Sequence, residues 1–145
     1  MDRLLVSACL LGFNCKYTGG NNRLGEETLS RLREKYRLVP VCPELSGGLS
    51  CPRPPAERQG ERVMAVDVRD VTEEYRRGAD TAVALYRRFR CAAALMKARS
   101  PSCGRDEIYD GSFTGTVIPG HGVAAEALLR LGAAIADENH VEDLF

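Results

Sequence analysis

Three apolar runs in the chain stop where cysteine and turn-forming residues take over. Leu4-Leu5-Val6-Ser7-Ala8 ends at Cys9, and Leu38-Val39-Pro40-Val41 ends at Cys42. Ala92-Ala93-Ala94-Leu95-Met96 leads on to Ser100-Pro101-Ser102-Cys103-Gly104. Short apolar runs bounded by turn signals read as strands buried on both faces. Pro101 pushes Ser100 towards extended backbone and closes the third run. Strands buried on both faces belong to a parallel sheet, whose crossovers cover it with helices.

The helical segments fall where that scheme needs them. Arg23 to Tyr36 reads as a helix, with Leu24, Leu29, Leu32 and Tyr36 close to one face and Glu27 and Arg31 spaced i,i+4. The second strand, about Arg37 to Val41, follows at once. Asp70 or Thr72 caps the clearest helix, which runs to about Arg88 with Val71, Tyr75, Ala79, Ala82, Tyr86 and Phe89 on one face. The third strand covers about Cys91 to Ala98. Val123 to Leu131 reads as a last helix, closed by Gly132, and Ala133 to Ala136 as a fourth strand.

Other segments break the regular pattern. Pro43, Pro52, Pro54 and Pro55, with Gly47, Gly48 and Gly60, are expected to forbid a regular element from Pro43 to Gly60. A loop of that length inside a domain is expected to be functional. Arg62 to Val68 reads as a short extended segment, and Ile108 to Gly115 as a turn or small hairpin. The expected fold is α/β: a single domain over residues 1–145, with an open, mostly parallel, Rossmann-like sheet and helices on its faces. In such sheets ligands bind outside the carboxyl ends of the strands, where Cys9, Cys42, Ser100 and Cys103 all fall.

Charge narrows the partners. Lys+Arg and Asp+Glu are each 20, so the formal net charge is +0, which argues against a dedicated nucleic-acid or membrane-surface binder. No apolar run approaches the roughly 20 residues of a membrane span. Met1-Asp2-Arg3 leads straight into the first strand without a signal-peptide pattern, so a cytoplasmic location with reduced thiols is expected. Oligomeric state is left open.

The six cysteines therefore need a reading other than disulfides. None form a C-x-x-C pair, and the only histidines are His121 and His140. Thiolates without histidine suit zinc or an iron–sulfur cluster. Three thiolates leave one position open, and on a cluster that position can bind a substrate atom as a Lewis acid. Glu44, two residues past Cys42, is a candidate to move protons, and Ser100 a candidate hydrogen-bond donor. Ser102, Lys16, Tyr17, Arg53 and Glu57 are candidates for shaping the pocket. Cys15 is a reserve ligand or a nearby thiol. Cys91, among alanines, reads as a small buried hydrophobe, and Cys51 as a loop residue without a role. Asp110 and His121 could also reach the site, although a turn acid and a helix-entry residue explain them as well, and His140 reads as surface.

Longer motifs run through the chain in order. They are Ser7-Ala8-Cys9-Leu10-Leu11-Gly12-x-x-Cys15-Lys16-Tyr17, then Val41-Cys42-Pro43-Glu44-x-x-Gly47-Gly48-Leu49-x-x-Pro52-Arg53-x-x-Ala56-Glu57. Asp70-Val71-Thr72, Lys97-x-x-Ser100-Pro101-Ser102-Cys103-Gly104, Ile108-Tyr109-Asp110-Gly111 and Gly120-x-Gly122-Val123 complete them. Over nearly its whole length the chain resembles the small cysteine-rich family that includes thiouracil desulfidase. Thr18 and Ala124 depart from that pattern, standing where an acid and a threonine are common. The resemblance implies a [4Fe-4S] cluster on Cys9, Cys42 and Cys103, used for non-redox removal of sulfur from a thiolated pyrimidine or related thioamide. It implies Glu44 and Ser100 as catalytic residues. Two rivals stand beside it: a structural zinc module on Cys9, Cys15, Cys42 and Cys103, and a metal-free persulfide sulfurtransferase with one thiol of depressed pKa.

Overall fold

The computed structural model describes residues 1–145. Its elements, in chain order, are β1 (Asp2–Ser7), α1 (Glu26–Lys35), β2 (Tyr36–Val41), α2 (Pro43–Ser46), β3 (Ala56–Gln59) and β4 (Arg62–Ala65). They continue with α3 (Thr72–Arg88), β5 (Ala93–Leu95), β6 (Glu107–Tyr109), β7 (Val117–Pro119), α4 (Val123–Arg130) and β8 (Ile135–Ala136). Short 3-10 turns follow β1 at Ala8–Leu11 and close the chain at Val141–Leu144.

The central sheet is wholly parallel, in the order β2-β1-β5-β8. β1 pairs with β2 from Asp2 against Tyr36 to Ser7 against Val41, and with β5 from Leu4 against Ala93 to Val6 against Leu95. Period-two alternation sends neighbouring residues to opposite faces. Leu5, Ala94 and Ile135 join Ala79 and Ala82 of α3 and Ala125 and Leu128 of α4 on one side. Leu4, Val6, Ala93 and Leu95 join Leu32 of α1, with Tyr36 and Leu144, on the other. Both faces are covered, as the continuous apolar runs require. The chain leaves β1 to one side for β2 and to the other for β5, so the order reverses at β1. Such a reversal opens a crevice at the carboxyl ends.

Several boundaries differ from expectation, and each difference has a local cause. The first helix starts at Glu26 rather than Arg23, because Asn22 and Leu24 give their amides to Cys9 and Leu10 carbonyls. Arg31 passes over Glu27 and pairs with Glu142 at 2.6 Å. β5 stops at Leu95, because the amides of Lys97 and Ala98 go to side chains, Ser7 Oγ at 2.9 Å and a Glu138 carboxylate oxygen at 2.7 Å. Asp70 accepts the Thr72 amide at the start of α3, while Thr72 Oγ1 accepts from Val63 N.

The loop from Pro43 to Gly60 does hold regular structure, contrary to expectation. Pro43 occupies the first turn of α2, where a missing N–H costs nothing. Ala56–Gln59 pairs antiparallel with Arg62–Ala65 as a hairpin. The extended segment after Gly60 is its second strand, and β6 and β7 form the hairpin expected near Ile108.

α2 is clamped to α3 by two glycines. A Cβ on Gly78 would lie 1.8 Å from Pro43 O, and one on Gly47 would lie 1.8 Å from Glu74 O. That approach accounts for a glycine in the middle of the longest helix, where it would otherwise be unfavourable. It also fixes α2, and with it Glu44, against a rigid scaffold.

Candidate active site

A cavity of about 580 Å³ opens at the carboxyl ends of β1, β2 and β5. Cys9 reaches it from the 3-10 turn that follows β1. Cys42 stands between β2 and α2, and Cys103 lies in the turn beyond β5. Cys15 lines the same space from the loop after the first turn. Cys9, Cys15 and Cys103 are buried and Cys42 is half-buried.

Burial sets the charge state of these thiols. It pushes Cys9 up, against a hydrogen bond from Asn22, with the neighbouring Cys42 adding to the rise. It pushes Cys103 up to about 12, with Ser102 and Ser7 pulling the other way. Cys15, beside Cys42, is likewise pushed up to about 12 by burial. Without a metal these three are neutral thiols at neutral pH, so metal uptake must expel protons. No depressed thiol of the kind a persulfide carrier uses is found among them. No three His, Cys, Asp or Glu side chains converge closely enough to hold a single metal ion. Within the cavity Cys15 lies beside Cys42, and Cys9 neighbours both Cys42 and Cys103.

Glu44 enters from the first turn of α2. Arg53 Nε donates to its Oε1 at 3.0 Å, and Ser102 Oγ donates to its Oε2 at 2.9 Å. The Tyr75 phenol also faces this carboxylate, and burial followed by that negative neighbour raises its pKa. Arg53 donates further to the carbonyls of Cys15 at 2.9 Å and Ser50 at 3.1 Å, tying the Cys15 loop to α2. Burial opposes its charge, but the Glu44 carboxylate outweighs that and raises its pKa.

Ser100 forms the other end of the same network. Its Oγ accepts from the amides of Ser102 at 3.1 Å and Cys103 at 3.0 Å, which shapes the turn. It lies 3.0 Å from Ser102 Oγ. Each hydroxyl has one proton, so Ser102 donating to Glu44 leaves Ser100 to donate to Ser102. The result is an ordered chain, Ser100 to Ser102 to Glu44, along the cavity wall.

The turn itself is held by α4. No side chain caps that helix. Its first amides are taken by the turn instead: Val123 N donates to Pro101 O and Ala124 N to Ser102 O. A Cβ on Gly122 would come within 2.5 Å of the Ser102 carbonyl carbon, so glycine permits the contact.

The cavity thus brings together Cys9, Cys42, Cys103, Glu44 and Ser100, and also Cys15. Lys16, Tyr17, Arg53, Glu57 and Ser102 line it as well. Cys51 is outside and exposed, its Sγ donating to the carbonyls of Asn14 and Lys16. Cys91 is packed in the α3–α4 core. Asp110 caps its own turn through Ser112, His121 Nδ1 accepts from Asp106 N, and His140 is exposed beside Asp137.

Among the cavity residues that sequence reasoning missed are Tyr75, Lys97 and Phe113. Tyr75 lies on the apolar stripe of α3, and nothing local separates it from a core tyrosine. Lys97 sits inside a quoted motif, but its ion pair with Glu138 at 2.7 Å joins residues remote in sequence. Phe113 stands beyond the Ile108–Gly111 motif and carries no spacing signal.

Comparison with known proteins decides the family. A model described as 2-thiouracil desulfurase matches residues 4–140. The chain belongs to the 2-thiouracil desulfurase family. The resemblance seen in its motifs is thereby borne out. A solved structure titled [4Fe-4S]-dependent thiouracil desulfidase, TudS, is 40% identical, with a TM-score of 0.94 over 99% of this chain and 95% of that one. That likeness also bears out the α/β fold. YbbK, a protein of Bacillus subtilis (strain 168) that carries no assigned function, is 36% identical over 151 residues, covering 97% of this chain and 99% of its own. No helix of this family member is long and apolar enough to cross a membrane.

Proposed function

We propose that the protein removes sulfur hydrolytically from a thiolated pyrimidine of the 2-thiouracil type, yielding the oxo base and hydrosulfide. A [4Fe-4S] cluster held by Cys9, Cys42 and Cys103 is part of that proposal. The single observation that carries it is a carboxylate, Glu44, fixed from both sides in a cavity that also holds three thiols from three strand ends, two of them buried and one half-buried. The donor set fits the group: soft thiols lining one cavity, with no histidine among them. When bound, the cluster supplies an iron without a protein ligand, a Lewis acid suited to a soft sulfur atom. The substrate and cofactor in the solved relative's title support the same reading.

The chain's own residues account for the proton movements. Replacing C=S by C=O consumes one water and releases hydrosulfide and a proton. Glu44 takes the proton of the attacking water, its other contacts keeping the carboxylate aimed at one place. Once protonated, Glu44 donates to Ser102, the Ser102–Ser100 bond reverses, and Ser100 passes its own proton to the substrate as it takes one from Ser102, so the relay returns the water's proton without leaving a charged hydroxyl. Arg53 and Tyr75 keep water from solvating Glu44 freely. The substrate is a small molecule and the chain acts as one domain in the cytoplasm, on this reading.

The test is turnover of 2-thiouracil by anaerobically reconstituted protein, followed as uracil and sulfide. Glu44→Gln should lower kcat roughly 100-fold or more, the size of a general acid–base contribution, with iron content unchanged. Normal turnover by that variant sinks the role given to Glu44.

A further inference from the structure

Phe113 stands in a conformation that a bulky residue avoids. Its φ is 59°, in the left-handed region where L side chains crowd the backbone. The strain is held in place from two directions. Within the turn, Asp110 accepts from Ser112, and the hydroxyls of Ser112, Thr114 and Thr116 follow one another at 2.6 and 2.8 Å. From outside, Glu57 on β3 reaches across, and its Oε1 accepts from the amides of Gly111 at 3.0 Å and Phe113 at 3.1 Å.

Core packing does not explain this expense. Phe113 belongs to none of the three apolar clusters of the fold. Its side chain is half-buried and lines the same cavity as the thiols and Glu44. A residue kept in a disfavoured backbone state at the wall of a site is a candidate for function. A pyrimidine is flat and uncharged, and its face is best bound by another flat ring.

We infer that Phe113 is a substrate-stacking residue, pinned over the cavity by Glu57, and that it sets the preference for planar aromatic thiocarbonyl compounds. The inference rests on the proposed thiopyrimidine reaction. Phe113 touches the ring of the substrate, whereas Glu57 is a positioning residue that acts through the Phe113 and Gly111 amides.

The experiment uses the reconstituted protein with two readouts, KM and kcat for 2-thiouracil and the affinity for uracil measured by NMR titration. Phe113→Ala should raise both KM and the uracil Kd roughly 10- to 100-fold, the span of a base–aromatic stack, while kcat stays within about 3-fold. Phe113→Tyr keeps a ring and should stay within about 3-fold of wild type in all three. Glu57→Ala, which removes the acceptor, should weaken uracil binding in the same direction with no change in iron content. Thiourea, which has no ring, should lose nothing from Phe113→Ala. A KM and uracil Kd within about 2-fold of wild type in Phe113→Ala would overturn the inference, as would a loss confined to kcat. Wild type that binds uracil but releases no sulfide from 2-thiouracil removes the desulfuration reading, and the uracil arm still judges the stack. Wild type that does neither removes both.

Discussion

Replacing Arg53 by Met tests whether Glu44 is held as a desolvated ion. The two side chains are 6% and 14% exposed and 3.0 Å apart, so water screens the pair little. A surface pair of the same geometry would contribute about 0.2–1 kcal/mol. Removing one partner of a buried pair costs about 3–5 kcal/mol, because the other charge stays buried without compensation. The carbonyls of Cys15 and Ser50 lose donors as well, which places the expectation for Arg53→Met at roughly 4 kcal/mol. Urea denaturation of the metal-free, reduced protein measures it. A cycle with Glu44→Gln isolates the pair, since the neutral amide has no charge to strand. The second substitution should then cost less than it does in wild type, with a coupling energy of about 2 kcal/mol or more. Loss of alignment at Glu44 should also lower turnover about 100-fold. A destabilisation under about 1 kcal/mol with coupling under about 0.5 kcal/mol would refute the desolvated pair.

Two further predictions concern the same cavity. Ser102→Ala removes the middle of the Ser100–Ser102–Glu44 chain, and the loss of a bond to a charged group should cost about 1.5–3 kcal/mol in transition-state stabilisation. It should show as a fall in kcat with the iron content unchanged, and Ser102→Thr should recover most of it; an unaltered kcat counts against the chain. In the metal-free protein Cys15 and Cys103 titrate near 12 instead of the ordinary 9.0. A folded-state pKa above the unfolded value gives stability that is complete below pH 9 and lost as pH rises towards 12. Urea midpoints should therefore fall between neutral pH and about pH 10.5, by on the order of 2 kcal/mol per thiol, and a flat profile would contradict the assigned burial.

How much could be read from sequence follows the range over which each feature is determined. Cys9 and Cys42 end strands whose apolar runs are local, so their place at one sheet edge was legible. Residues 97–98 looked like continued strand, because the side chains that claim their amides, Ser7 and Glu138, are remote in sequence. The proline-rich loop hid α2, since Pro43 suits a first helical turn as well as it suits a break. Tyr75 was legible as buried, but its facing Glu44 depends on the Gly47–Gly78 clamp, which spacing cannot show. Spacing also supplied only soft ligands at strand ends, and the choice of an iron–sulfur cluster over zinc came from the motifs taken as a family pattern. Ser102 was given a lesser place than Ser100, although the structure puts Ser102, not Ser100, against the carboxylate.

The most direct test of the account is iron and acid-labile sulfide per chain after anaerobic reconstitution, in wild type and in Cys9→Ala, Cys42→Ala and Cys103→Ala. The account predicts about four irons and four sulfides in wild type, lost in each of the three variants and kept in Cys15→Ala and Cys51→Ala. Wild type that takes up one zinc and no stable iron would contradict the cluster, and a variant of Cys9, Cys42 or Cys103 that retains full iron would contradict the ligand set.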